Sequence, residues 1–511
     1  MRNVLAVLAV FQFDAVSVPL LRQLLDDGRL PTLADLISRG RWLDLETPAT
    51  HFPAASYFTL YSGVPVVDHG RYHAFQWQPA EQRSRWRGDR PGPMAVWERV
   101  ARDGRRVLVL DPYESLRPEQ LNGIAVSGWQ FLNVVSLDRW SVPHGVDAEL
   151  RRVFGRPKRM EEVFGRPTPR RLLALSRLLQ DATKRAADAA VYLLQRREYD
   201  LVWLTFLASH LGGHMLWSLS EVDPSRLDER TRVELEGALP RLYEQIDQAL
   251  GRVVEALPAD AGVIVTSALG MGENIVRVDL LPAMLEAVLS GKRAESRAEG
   301  FLWRLRAGVP VGARARVAAA LHGPLTREVT MRLSNYGVDW AKTPAFVVPS
   351  DHFGQIRFNV RGREREGIVA PADVDGLAAE IGAGLLSFRD PDGEPAVQSV
   401  DRTSEFLGDG KGLEFLPDLV VRWSLRPSAN VTHVTSPTFG EIARAGRGSG
   451  RSGSHLPEAW AVIVPASAAL PANGRPHVID LAPSVCAALG VDLGELPGRP
   501  LLAGDTATIP G

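Results

Sequence analysis

The sequence predicts an α/β fold, a mostly parallel sheet with helices on both faces. Two observations predict it. Short apolar runs of strand length alternate with amphipathic stretches of helical period, the order expected of βαβ units. Polar residues with chemical potential (Asp14, His210, His214 and the Ser267 loop) fall at the carboxyl ends of those runs. Open α/β sheets bind ligands at that edge.

The elements follow in order. Val4 to Phe13 reads as a buried strand with Asp14 at its carboxyl end. A helix spans Leu20 to Leu25, and Gly28-Arg-Leu-Pro31 turns the chain. Thr32 is placed to cap a helix over Leu33 to Ser38, which stops at Gly40. The segment Thr47-Pro-Ala-Thr-His-Phe-Pro-Ala-Ala-Ser56 leads into an apolar helix ending at Ser62-Gly63, followed by Asp68-His-Gly70. Met94 to Val100 reads as a helix, and Val107 to Leu110 and Ile124 to Ser127 as strands. The rhythm breaks over residues 142–197, where Arg170 to Arg196 reads as one long helix in an inserted cap. It resumes with the strand Leu201 to Leu207, the helix Arg230 to Ala256 and the strand Gly262 to Thr266. A second helical insertion spans 280–333. Strands at Phe346 to Pro349, Gln355 to Val360, Asp418 to Trp423 and Ala461 to Val464, with helices at Asp373 to Phe388 and Asp480 to Leu489, complete a single domain over 1–511.

Composition narrows the function classes. Hydrophobic residues at 45% and charged residues at 23% are those of a soluble globular chain. A net charge of -1 provides no field to recruit nucleic acid. The N-terminal apolar run lacks a small-residue cleavage site and reads as a strand, and no segment has the length of a membrane span. One cysteine, Cys486, excludes an intramolecular disulfide and a thiolate metal cluster. It sits in an apolar helical pattern, and the chain is expected to be cytoplasmic.

The chemistry concentrates at His210-Leu-Gly-Gly-His214, directly after an apolar strand. Imidazoles at i and i+4 share one helix face and can grip a divalent metal. A hydrogen-bonded surface pair is the other reading of that motif in isolation. The loop Gly446 to Gly453, rich in Gly, Ser and Arg, is able to bring His455 to the same edge.

Together these features resemble the alkaline phosphatase superfamily, in its type I phosphodiesterase/nucleotide pyrophosphatase branch, over nearly the whole chain. The resemblance rests on the strand ending in Asp14, Gly28-Arg-Leu-Pro-Thr-Leu-Ala-Asp-Leu-Ile-Ser-Arg-Gly40, Ser62-Gly63 with Asp68-His-Gly70, Ile356-Arg-Phe-Asn-Val-Arg-Gly-Arg363 and Asp480-Leu-Ala-Pro-Ser484. It implies a three-layer α/β/α core and two metal ions, usually zinc, flanking a threonine or serine nucleophile. The second metal site maps onto His210, His214 and His455, with histidine where the family has its first aspartate. The first site keeps Asp14, but its Asp-His pair falls on Ala268-Leu269, so that site is expected to be empty and one zinc (or another divalent ion) to be bound. The nucleophile maps to Ser56 or Thr50 depending on the register of the helix, and one anchoring places His51 there as a base or ligand. Asn274, Arg357 and His69 are candidates to meet substrate. The resemblance thus implies a metal-dependent hydrolase of a small anionic phosphodiester or related phosphoryl or sulfuryl ester. A catalytically silent relative that binds a ligand or partner, or one repurposed to non-hydrolytic chemistry, is the alternative.

Overall fold

The computed structural model describes residues 5–132, 138–160, 166–293, 331, 338–444, 449–465 and 475–502. In chain order its strands are β1 (Leu8–Phe13), β2 (Arg41–Leu45), β3 (Phe75–Gln78), β4 (Arg83–Trp86), β5 (Val107–Leu110), β6 (Gly123–Ser127), β7 (Trp140–Val142), β8 (Leu201–Phe206) and β9 (Gly262–Ser267). There follow β10 (Gly270–Glu273), β11 (Ala345–Val347), β12 (Gly354–Phe358), β13 (Val397–Arg402), β14 (Leu419–Trp423), β15 (His433–Ser436), β16 (Gly440–Ala443), β17 (Gly453–Leu456) and β18 (Ala459–Val464).

Eight of these form the main sheet, in the order β2-β18-β9-β1-β8-β5-β6-β7. The five central strands, β9, β1, β8, β5 and β6, are parallel; β18 and β7 pair antiparallel at the flanks. Side chains alternate between the faces of a strand, and the two faces of β1 enter different cores. Ala9, Phe11 and Phe13 pack with the helices Pro31–Arg39, Pro169–Leu194 and Ala238–Val254. Leu8 and Val10 pack with Val96–Arg102 and Leu481–Leu489. Both faces of β1, β8 and β9 are therefore buried, which is why these strands read as unbroken apolar runs.

Three local departures have physical reasons. The helix Pro31–Arg39 starts ahead of Thr32, with proline in its first turn. Its free N–H groups at Thr32 and Leu33 are accepted by the Asp247 carboxylate, 3.0 and 2.8 Å away, so the cap comes from a neighbouring helix. The helix expected over Arg230 to Ala256 breaks at Gly237 into Glu229–Glu236 and Ala238–Val254. The helix Pro169–Leu194, expected in an inserted cap, lays Leu172, Leu179, Ala186, Ala190 and Leu193 into the main core. Of the expected insertion at 280–333, the helix Leu281–Ser290 is described and packs under the second sheet; residues 294–330 and 332–333 lie outside the described residues. That second sheet is antiparallel, in the order β11-β12-β14-β13.

Candidate metal centre

The carboxyl ends of β1, β8 and β9 lie side by side because the three strands are neighbours in register. Asp14 follows β1 directly. The helix Ala208–Leu216 begins two residues beyond β8 and carries His210 and His214 on adjacent turns. The Ser209 hydroxyl donates to the Asp14 carbonyl at 2.7 Å and locks the start of this helix to the end of β1. Beyond β9 the chain turns into β10, which pairs antiparallel with β17, and that register sets His455 opposite Met271.

The helix and β17 approach closely, and two glycines permit it. A Cβ on Gly213 would lie 2.5 Å from Met271 Cγ, and one on Gly453 would overlap the Gly213 carbonyl oxygen. The Gly453 carbonyl is thereby brought to 2.8 Å from His214 Nδ1.

The three imidazoles meet as a triangle. One ligand nitrogen from each of His210, His214 and His455 lies within 4.8 Å of the others, and the ring centroids are 4.7–4.9 Å apart. Two tautomers follow from the partners. The Gly453 carbonyl only accepts, so His214 carries its proton on Nδ1 and keeps its Nε2 lone pair. His210 Nδ1 lies 3.0 Å from Asp14 Oδ2, and an ionised carboxylate also only accepts, so His210 has the same tautomer. The Nδ1 of His455 is buried without a hydrogen-bond partner. Burial holds His214 and His455 well below the ordinary histidine range, and the Arg451 charge and the neighbouring imidazoles push the same way. Three clustered imidazoles, two of them with Nδ1 engaged by an acceptor and the third with a buried unsatisfied Nδ1, are a donor set that fits zinc or a similar divalent ion.

The remaining sequence candidates are engaged otherwise. Asp14 Oδ2 faces His210 and Oδ1 accepts from the Tyr57 hydroxyl at 2.6 Å. Ala268 and Leu269 are buried in the core beside Met271. Ser56 is fully buried; the Thr47 hydroxyl donates to the Ala268 carbonyl at 2.7 Å, so Ser56 must donate its own proton to Thr47, 3.0 Å away. The Thr50 hydroxyl donates to the Thr47 carbonyl at 3.3 Å. His51 stacks on Phe406 and pairs with Asp401 at 3.3 Å. Each hydroxyl proton is thus committed to a neighbouring oxygen of Thr47.

The three substrate-facing candidates have structural partners instead. Arg357 is fully buried, donating to Glu364 at 2.7 Å and to the carbonyls of Leu416 and Glu414 at 2.5 and 2.6 Å. His69 joins Thr59 at 3.1 Å and accepts from the Arg71 amide at 2.9 Å, ordering the turn at Gly70. Asn274 donates to the Arg451 carbonyl at 2.7 Å and accepts from the Val276 amide at 3.0 Å, fixing the approach to β17.

Residue-level reading missed Tyr57, whose hydroxyl also lies 3.3 Å from His210 Nδ1, and Tyr113, whose ring centroid is 4.9 Å from those of both His210 and Tyr57. A tyrosine in an apolar helix carries no signal that separates it from core. His352 also reaches the group: its ring centroid is 6.0 Å from that of His455, and its Nδ1 is buried without a partner. Next to it, Asp351 pairs with His73 at 3.2 Å and keeps 72% of its side chain exposed.

The sequence model of type I phosphodiesterase / nucleotide pyrophosphatase matches residues 8–433. The chain belongs to that family. The match spans β1, the Tyr57 helix and the His210–His214 helix, and ends before His455. This family member thus sits within the alkaline phosphatase superfamily. No curated protein is significantly similar to it in sequence. Among solved structures it is similar to phosphonoacetate hydrolase from Sinorhizobium meliloti 1021 in complex with phosphonoformate, at a TM-score of 0.51 and 14% identity, covering 95% of this chain and 96% of that one. The phosphonoacetate complex of the same hydrolase gives 0.50 over the same coverage. Murine ectonucleotide pyrophosphatase / phosphodiesterase 5 matches with a TM-score of 0.48 and 10% identity over 95% of both chains. The first two establish the shared fold.

Proposed function

We propose that this family member is a metal-dependent hydrolase of a small anionic ester, a phosphodiester or a related phosphoryl or sulfuryl ester, with one divalent ion held by His210, His214 and His455. The observation that carries the reading is the convergence of three imidazoles from two segments at the carboxyl edge of the sheet. Zinc bound there would supply Lewis-acid charge for the phosphoryl oxygens and lower the pKa of a water. Asp14 and Gly453 hold two of the imidazoles in the tautomer a metal requires. With the protons of Ser56 and Thr50 committed to Thr47, water is the attacking group. It forms the new bond to phosphorus as the ester oxygen departs with a proton. Small phosphonate ligands in the similar hydrolase structures accord with an anionic substrate.

The replacement of the family's Asp-His pair by buried Ala268 and Leu269 favours a second reading, a silent relative that binds a ligand without turning it over. Hydrolysis of bis-p-nitrophenyl phosphate separates the two. The enzyme reading predicts turnover by zinc-loaded protein that is abolished by chelator and by His214→Ala. Zinc-loaded protein without turnover on this diester or on matched phosphate and sulfate monoesters favours the silent reading.

A further inference from the structure

Asp14 is the residue that the family resemblance assigns to a metal, yet its surroundings give it different work. Its side chain is fully buried. Its backbone is fixed from both sides: the amide donates to the Phe206 carbonyl at 3.2 Å, and the carbonyl accepts from Ser209. One carboxylate oxygen faces Tyr57 and the other faces His210. The pair of residues that would complete a first metal site with it is Ala268-Leu269, which offers no side-chain donor.

We propose that Asp14 and Tyr57 are positioning residues for the metal site: the Asp14 carboxylate fixes His210 as the Nδ1–H tautomer with Nε2 turned to the ion, and the Tyr57 hydroxyl fixes the carboxylate. This rests on reading the three histidines as a metal site. An imidazole whose far nitrogen donates to a carboxylate is held in orientation and becomes a more basic ligand. His214 receives the same service from a neutral group, the Gly453 carbonyl. The charged partner therefore belongs to His210 alone among the two, the position where the family's own anionic ligand has been replaced by imidazole. The Tyr57 hydroxyl donates to Asp14 Oδ1 at 2.6 Å, which leaves Oδ2 facing His210. The Tyr113 ring closes the assembly against His210 and Tyr57.

The test is zinc affinity by competition with a chromophoric chelator, measured on the unmodified chain, Asp14→Asn and Tyr57→Phe. Thermal unfolding of each metal-free form and X-ray absorption of each zinc-loaded form accompany it. The expected result is one ion in every protein, bound about 10- to 100-fold more weakly in Asp14→Asn and less severely weakened in Tyr57→Phe. The same three imidazole nitrogens should appear in all three absorption spectra. Tyr57→Phe removes one oxygen only and is read alone if Asp14→Asn does not fold. Loss of an oxygen ligand from the Asp14→Asn spectrum would make Asp14 a ligand and overturn the proposal. Unchanged affinity in Tyr57→Phe would overturn the tyrosine's part, and unchanged affinity in both would overturn the whole. An unmodified chain that binds no zinc instead sinks the metal-site reading on which the proposal rests.

Discussion

Replacing Arg357 by methionine separates a buried structural arginine from one that meets substrate. The side chains of Arg357 and Glu364 are both fully buried, and the guanidinium makes three short hydrogen bonds. Methionine preserves much of the stem volume but strands the Leu416 and Glu414 carbonyls. It also leaves Glu364 with Trp77 at 2.8 Å and Arg363 at 3.1 Å as its partners. Breaking a buried ion pair from one side costs about 3–5 kcal/mol. Arg363 remains beside the carboxylate, so the expected loss lies near the lower end, about 3 kcal/mol. Urea unfolding of the metal-free protein at constant pH measures it. Adding Glu364→Gln removes the stranded charge and should recover at least about 1 kcal/mol as coupling between contacting residues. A loss below about 1 kcal/mol, or a raised KM with unchanged stability, would refute this account and return Arg357 to the substrate cleft.

Two further outcomes follow from the same geometry. Burial, followed by the charges of Arg71 and Arg90, lowers the His69 pKa to about 3, from an ordinary value of 6.5. The unfolded chain therefore takes up a proton near pH 6.5 that the folded chain refuses. The stability held above pH 6.5 drains away as pH falls, by about 2 kcal/mol between pH 7 and 5. Paired urea titrations of the unmodified chain and His69→Asn should show this acid sensitivity reduced in the variant, and equal slopes would contradict it. Ser56→Ala, which deletes a hydroxyl committed to Thr47, should cost about 1 kcal/mol in the same assay. It should leave metal-dependent hydrolysis of bis-p-nitrophenyl phosphate within about twofold, whereas a loss of several orders of magnitude would restore Ser56 as nucleophile.

The central sheet was legible because its strands are buried on both faces. Leu8 to Phe13, Leu201 to Phe206 and Gly262 to Ser267 have no solvent face to interrupt the apolar run. His210 and His214 were legible for a different reason, since one helical turn fixes their relation locally. The placement of His455 depends on the pairing of β10 with β17, a contact between distant segments that spacing does not encode. The resemblance supplied it. Tyr57 was hidden because its helix is buried on all sides, so its hydroxyl looked like one more core tyrosine. Arg357 and His69 misled in the opposite sense: polar residues beside a cleft suggest ligands, yet each is engaged by internal partners, the Glu364 carboxylate for one and the Thr59 hydroxyl and Arg71 amide for the other. The helix Pro169–Leu194 looked like an insertion because it interrupts the strand–helix rhythm. Its small buried face of Ala182, Ala186 and Ala190 nonetheless lets it lie close against Ala238–Val254 in the main helical layer.

The central claim is a single ion on three imidazoles, and elemental analysis of purified protein, with His455→Ala alongside, tests it most directly. The account predicts about one zinc or other divalent ion per chain, lost in the variant. Two ions per chain, or no ion after exposure to zinc, would contradict it.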